Sequence, residues 1–191
     1  AGIYASTQPE DWKRGIKIMD SAIALFPTNP LPLYLKGKLY YNLTQYEEAL
    51  VYLHKSQAIA PRWSMPTIGI SEVYYEQGEY DSVERILLNL AEKQQIALVY
   101  FKLGYFYGEI RDNAYDAIKY SKLAHQLAPE KTNIINNIGA YYEKLSEYDS
   151  AMYYYNKAIA VDSNNAFTLR NIGKYHMDNG SFTTAEKILK Q

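Results

Sequence analysis

A chain of 191 residues can bury a substantial core, and a composition of 48% hydrophobic and 21% charged residues is that of a folded protein. The formal net charge of -1 lacks the basic excess that a general nucleic-acid or anionic-membrane binder would carry. The absence of cysteine excludes disulfides and thiolate metal sites.

Ala1–Pro9 shows no basic stretch followed by an apolar core, so no signal peptide is visible, although a cleaved one would leave no trace. No apolar run approaches the roughly 20 residues of a membrane helix, so direct membrane insertion is not expected. The expected compartment is the cytoplasm, with the periplasm after signal cleavage as the alternative. Tyrosine is abundant at 21 residues, an excess that asks for a structural reason.

Taken in order, the chain repeats itself. Residues 1–29 read as a partial unit whose second helix carries Trp12, Gly15, Met19 and Ala22, closed by Pro27. Residues 30–63 hold a small residue and an aromatic three apart, Gly37/Tyr40. The turn Thr44-Gln45-Tyr46 follows, then Ala49, Ser56 and Pro61. Residues 64–96 repeat this as Ser71/Tyr74, Gly78-Glu79-Tyr80, Val83 and Leu90, with Gln95 where a proline would stand.

Residues 97–131 repeat it as Gly104/Tyr107, Ala117, Ala124 and Pro129. Their turn, Arg111-Asp112-Asn113-Ala114-Tyr115, holds one extra residue; the preceding unit is one shorter, so the register is restored. Residues 132–165 repeat it as Gly139/Tyr142, Ser146-Glu147-Tyr148, Ala151 and Ala158. Residues 166–191 form a last partial unit with Gly173/His176, Gly180-Ser181-Phe182 and Ala185. Ala49, Val83, Ala117, Ala151 and Ala185 stand 34 residues apart throughout.

Several independent series sharing one period mark a helical-repeat array. Each unit predicts two helices. In 132–165, Ile135, Ile138, Gly139 and Tyr142 form one apolar face. Tyr148, Ala151, Tyr155 and Ala158 form the next, and Asp162-Ser163-Asn164-Asn165 breaks it. Small residues at Gly37, Ala49 and Ala151 are expected where helices cross closely.

The segment Asn136-Asn137-Ile138-Gly139 … Tyr142 … Tyr148-Asp149 … Ala151 … Tyr155 … Ala158 … Asp162 resembles the tetratricopeptide-repeat consensus almost position for position. The resemblance covers essentially the whole chain. It implies an all-α fold, a right-handed superhelical solenoid of antiparallel helix pairs. Ala1 and Gln191 would both fall inside helices, so the chain is expected to be a segment of a longer protein.

In that family the first helices of the units line a concave groove. Transferred here, this implies lining by Tyr34, Lys38, Tyr41, Ile68 and Tyr75, with Glu72 among them. It implies the same for Phe101, Lys102 and Tyr105. The C-terminal part adds Asn133, Asn136, Asn137, Arg170, Asn171 and Lys174. Apolar anchors of a peptide are expected near Tyr34, Ile68 and Phe101, and its polar or acidic groups near Arg170 and Lys174.

Asn137 and Asn171 fall at equivalent places, similar to the asparagine ladder of O-GlcNAc transferases, but with only two rungs. The carboxylate clamp of chaperone-binding members is not matched, since its places hold Tyr34, Lys38, Gly69, Leu98 and Lys102. The resemblance thus implies a scaffold that binds a peptide or protein segment. One alternative is a structural module that self-associates or spaces domains in a multiprotein complex. A second is a regulatory domain of an enzyme lying outside this segment.

No catalytic, cofactor or metal residue is expected. His54, His125 and His176 are isolated, and Gly104 and Gly108 have no phosphate-loop spacing. Glu47-Glu48 opens a second helix, where carboxylates favour the helix dipole.

Overall fold

The computed structural model describes residues 9–189. The expected placements of Ala1 and Gln191 inside helices lie outside the described residues. Among those residues every regular element is an α-helix. Two compact units make up the chain, divided between Leu90 and Ala91.

The first unit holds α1 (Pro9–Leu25), α2 (Pro30–Asn42), α3 (Tyr46–Ile59), α4 (Ser64–Glu76) and α5 (Tyr80–Lys93) as far as Leu90. The second holds α6 (Ala97–Glu109), α7 (Ala114–Leu127), α8 (Thr132–Lys144), α9 (Tyr148–Val161), α10 (Ala166–Asp178) and α11 (Phe182–Leu189). First helices start 34, 33, 35 and 34 residues apart along α2, α4, α6, α8 and α10. The short interval arises because residues 94–96 link α5 to α6 with one residue fewer than 60–63, 128–131 or 162–165.

Local chemistry explains the starts. Asn29 accepts from the Leu31 N–H at 3.0 Å, and Pro30 takes the first helical position, where its missing N–H costs nothing. Asn165 caps α10 by accepting from the Thr168 N–H at 3.1 Å, and Asn113 caps α7 through Asp116 at 3.2 Å.

The hairpin corners obey the period more strictly than the helix starts do. Thr44, Gly78, Asp112, Ser146 and Gly180 all take positive φ, and they stand 34 residues apart. The closing bond of each corner ends on a carbonyl of the aromatic series. Gln45 N–H donates to Tyr40, Glu79 to Tyr74, Glu147 to Tyr142 and Ser181 to His176, at 2.8–3.0 Å. In the longer third corner Asn113 donates to Tyr107 at 2.8 Å, one residue further on, which absorbs the insertion.

A β-branched residue in the left-handed region is strained by roughly 1–2 kcal/mol, whereas glycine is not. Thr44 sits there at φ 57°. Thr44→Gly is therefore expected to stabilise the chain by about 0.5–1 kcal/mol after glycine's larger entropy loss. The check is a higher urea midpoint for Thr44→Gly and no gain for Gly78→Thr.

Packing follows the small residues. A Cβ built on Gly37 would lie 2.7 Å from Leu53 Cγ and 3.2 Å from the Ala49 carbonyl. One on Gly139 would lie 2.6 Å from the Tyr155 ring and 3.1 Å from the Ala151 carbonyl. Gly104 meets Ser121 and Ala117 in the same way.

In the first unit Ala49, Leu53, Ile70 and Val73 form a core edged by Tyr34, Tyr40, Tyr41 and Tyr74. In the second unit Tyr142 packs against three successive clusters, built on Ala117 and Tyr141, on Ala124 and Ile138, and on Ala151 and Tyr155. Much of the tyrosine excess is thus used as spacers between stacked hairpins. The ring fills volume, and the hydroxyl reaches a polar partner.

Candidate functional site

Each unit presents its own first-helix face. In the first unit this face is built by α2 and α4. Tyr34 is half-buried and meets the Trp63 ring edge-on, with centroids 5.0 Å apart. Burial, with a smaller effect of Glu72, pushes its phenol up to about 12. Lys38 Nζ donates to Glu72 at 2.5 Å and lies 4.3 Å from the Tyr41 ring centroid. Tyr41 Oη donates to Glu76 at 3.1 Å. Burial first, then Glu76, raises that phenol, so it stays a donor at any ordinary pH. Tyr75 packs edge-on against Tyr80, with ring centroids 5.8 Å apart.

Ile68 departs from expectation. It is 2% exposed and belongs to the core. The residues flanking it on α4 explain why: Pro66, Gly69, Ile70, Ser71 and Val73 are buried too, so this helix is covered on more than one side.

In the second unit α6 contributes half-buried Phe101 and Lys102 and exposed Tyr105. The α8 and α10 face carries exposed Asn133, half-buried Asn137, and exposed Phe167 with the Arg170 guanidinium 5.6 Å from its ring centroid. Asn136 is 8% exposed and is a second departure. Its side-chain oxygen accepts from Asn171 Nδ2 at 3.1 Å, so the amide of Asn171 satisfies a buried neighbour.

Lys174 Nζ donates to Glu143 at 2.7 Å, and Tyr155 Oη donates to the same carboxylate at 2.8 Å. The bond to Glu143 raises the Lys174 ammonium. The structure thus joins Lys38 to Glu72, Asn136 to Asn171, and Lys174 to Glu143. It does not join Asn137 to Asn171.

Several polar clusters escape sequence reasoning. Lys36 on α2 is buried, yet its Nζ donates to Asp20 on α1 and, at 2.8 Å, to Tyr52 Oη on α3. Burial pulls this ammonium down, but the bonds to Asp20 and Tyr52 outweigh it and leave it raised. Tyrosine pairs stack in three hairpins, Tyr40/Tyr52, Tyr107/Tyr120 and Tyr142/Tyr154, with centroids 5.4–5.6 Å apart. Both members recur on the repeat lattice, a signal the sequence did carry. Among the described residues no group of three or more His, Asp or Glu side chains could hold a metal, and no helix is long and apolar enough to cross a membrane.

A family model described as the tetratricopeptide repeat matches residues 32–62 and 132–165. The chain is 24% identical over 188 residues to the human protein O-mannosyl-transferase TMTC1, covering 94% of this chain but 20% of that protein. Among solved structures it superposes on yeast Tom70 with a TM-score of 0.77 at 15% identity, over 91% of this chain and 37% of the other. It superposes on YrrB, a TPR protein with an unusual peptide-binding site, with a TM-score of 0.67 at 16% identity. That match covers 90% of this chain and 89% of YrrB.

Proposed function

We propose that this chain, a tetratricopeptide-repeat protein, is a binding module that holds a peptide or protein segment against its first-helix faces. The observation that carries this reading is the incompletely buried aromatic side chains on those helices in each unit. Tyr34 and Tyr41 supply them in the first unit, and Phe101, Tyr105 and Phe167 in the second. Buried rings give large apolar contact with few torsions to freeze, and apolar anchors in a groove are a recurring way to hold a peptide. The likeness to YrrB, a TPR protein with an unusual peptide-binding site, supports the same reading.

The two faces differ in chemistry. The first unit offers aromatic rings bordered by the Lys38–Glu72 and Tyr41–Glu76 pairs. The second offers amides at Asn133 and Asn137 beside Arg170. A segment with aromatic or aliphatic anchors suits the former; one with exposed backbone suits the latter, since side-chain amides pair with peptide groups. Glu143 already occupies Lys174, which leaves Arg170 as the cation open to an acidic ligand on that face.

Affinity capture with mass spectrometry, using groove-substituted controls, tests the proposal. Tyr34→Ser with Phe101→Ser, and separately Phe167→Ser with Arg170→Ser, should each reduce capture at least tenfold with unchanged circular dichroism. Full capture by folded variants would reject it. A mass that rises with protein concentration in light scattering would favour self-association instead.

A second reading rests on the 188-residue likeness to part of a mannosyl-transferase. In it the array is a regulatory region of a larger enzyme, which the full open reading frame would decide.

A further inference from the structure

The cations of the first-helix faces are largely held by carboxylates, but a different face of the second unit holds lysines that no carboxylate among the described residues pairs. Lys122 and His125 stand three residues apart on one side of α7. Tyr154 and Lys157 stand three apart on α9. Lys122 Nζ donates to Tyr142 Oη at 2.6 Å and lies 5.8 Å from the Tyr154 ring centroid, so its side chain reaches from α7 towards α9.

Burial first, then the Lys157 charge, lowers the His125 imidazole and keeps it neutral, and its Nδ1 is buried with no hydrogen-bond partner. Among the described residues no carboxylate pairs with Lys122, His125 or Lys157. Lys38 and Lys174, by contrast, each hold a glutamate.

Two exposed apolar side chains bracket the charge along α9. Tyr153, four residues before Lys157, is 62% exposed; Val161, four residues after it, is 47% exposed. Eight residues of helix separate them by about 12 Å. An extended peptide covers that distance in about four residue steps of roughly 3.3 Å. Phenol and ammonium groups there present donors, and Lys122, bonded to the Tyr142 and Tyr154 hydroxyls, keeps one N–H and its full charge.

We propose that α7 and α9 form a second docking face, separate from the first-helix faces, for an acidic segment of a partner protein. Its carboxylates sit against Lys122 and Lys157, and apolar side chains about four residues apart sit on Tyr153 and Val161. The apolar brackets select a protein segment over a free anion. Ammonium groups that no carboxylate neutralises select an acidic segment over a neutral one, and the long-range attraction speeds its arrival.

The test uses the whole chain and a blocked pentapeptide with three glutamates between two leucines. Nuclear magnetic resonance should show saturable shifts at His125, Tyr153 and Lys157. They should weaken with salt, as screened charges require. The glutamine version of the peptide should produce none, and Lys157→Glu should weaken binding at least tenfold.

Lys157 is exposed and no carboxylate holds it, so the variant is expected to fold; Tyr153→Ser serves as a second one. Equal shifts from both peptides, shifts confined to α8 and α10, or unchanged binding by folded Lys157→Glu would overturn the proposal. So would shifts produced only by phosphatidylserine vesicles or by raising the protein concentration alone.

Discussion

Tyr155→Ala is expected to cost about 3–5 kcal/mol, the largest effect of any single change considered in this chain. Tyr155 is 1% exposed and packs with Ala151 and Ile172, against half-buried Tyr142 and Met152. Its ring lies where a Cβ on Gly139 would be, so the hairpin of α8 and α9 closes directly on it. Removing the ring leaves a void that the rigid helix pair fills only in part, and the lost contacts add to the transfer term.

The hydroxyl accounts for the smaller share. Burial and the bond to Glu143 both raise this phenol, so it donates throughout the working pH range. Tyr155→Phe should lose only about 0.5–1.5 kcal/mol, because Glu143 keeps Lys174 and water can replace the phenol. Urea unfolding followed by circular dichroism measures both variants. In a repeat array each unit leans mainly on its neighbours, so faster hydrogen exchange should centre on α8 to α11. Equal losses for the two variants would mean that the hydroxyl, not the ring, supports this hairpin.

The same hairpin illustrates which parts of the structure were legible beforehand. The spacing of Gly139, Tyr142, Ala151 and Ala158 implied two helices closing on a small-residue crossing, and α8 and α9 cross there. The corner residues were legible because a left-handed position recurs wherever the turn recurs, and Ser146 and Gly180 occupy it alike.

Burial on the first helices was less legible. In α4 the buried residues include Ile68, Gly69, Ile70 and Ser71 in succession, so the apolar pattern runs around the helix. A helix apolar all round carries no record of which side remains open. Family geometry therefore points Ile68 to the groove, whereas it lies in the core. Asn136 misled for the opposite reason. Amides are usually exposed, but this one is satisfied by a second amide one repeat away. Lys36 escaped for the same cause, since its partners Asp20 and Tyr52 come from two other helices. Long-range pairing of polar groups leaves no local trace in sequence.

Ala151→Leu tests the crossing from the other side. Ala151 is buried, and its carbonyl stands 3.1 Å from the place a Gly139 Cβ would occupy. Three added carbons on α9 must displace Tyr155, Ile172 or the helix axis itself, because cores at native density hold no spare volume of that size. The expected cost is about 1–3 kcal/mol from forced side-chain and backbone shifts. Leucine and alanine differ little in helix propensity, so secondary structure is not the source of the loss.

Ala160→Leu on the same helix is the control, for Ala160 is exposed and should change stability by less than about 0.5 kcal/mol. A destabilised Ala151→Leu beside an unchanged Ala160→Leu assigns the effect to helix approach. If both leave the urea midpoint where it was, the backbones of α8 and α9 yield more readily than their separation implies, and small residues on the 34-residue lattice serve some purpose other than close packing.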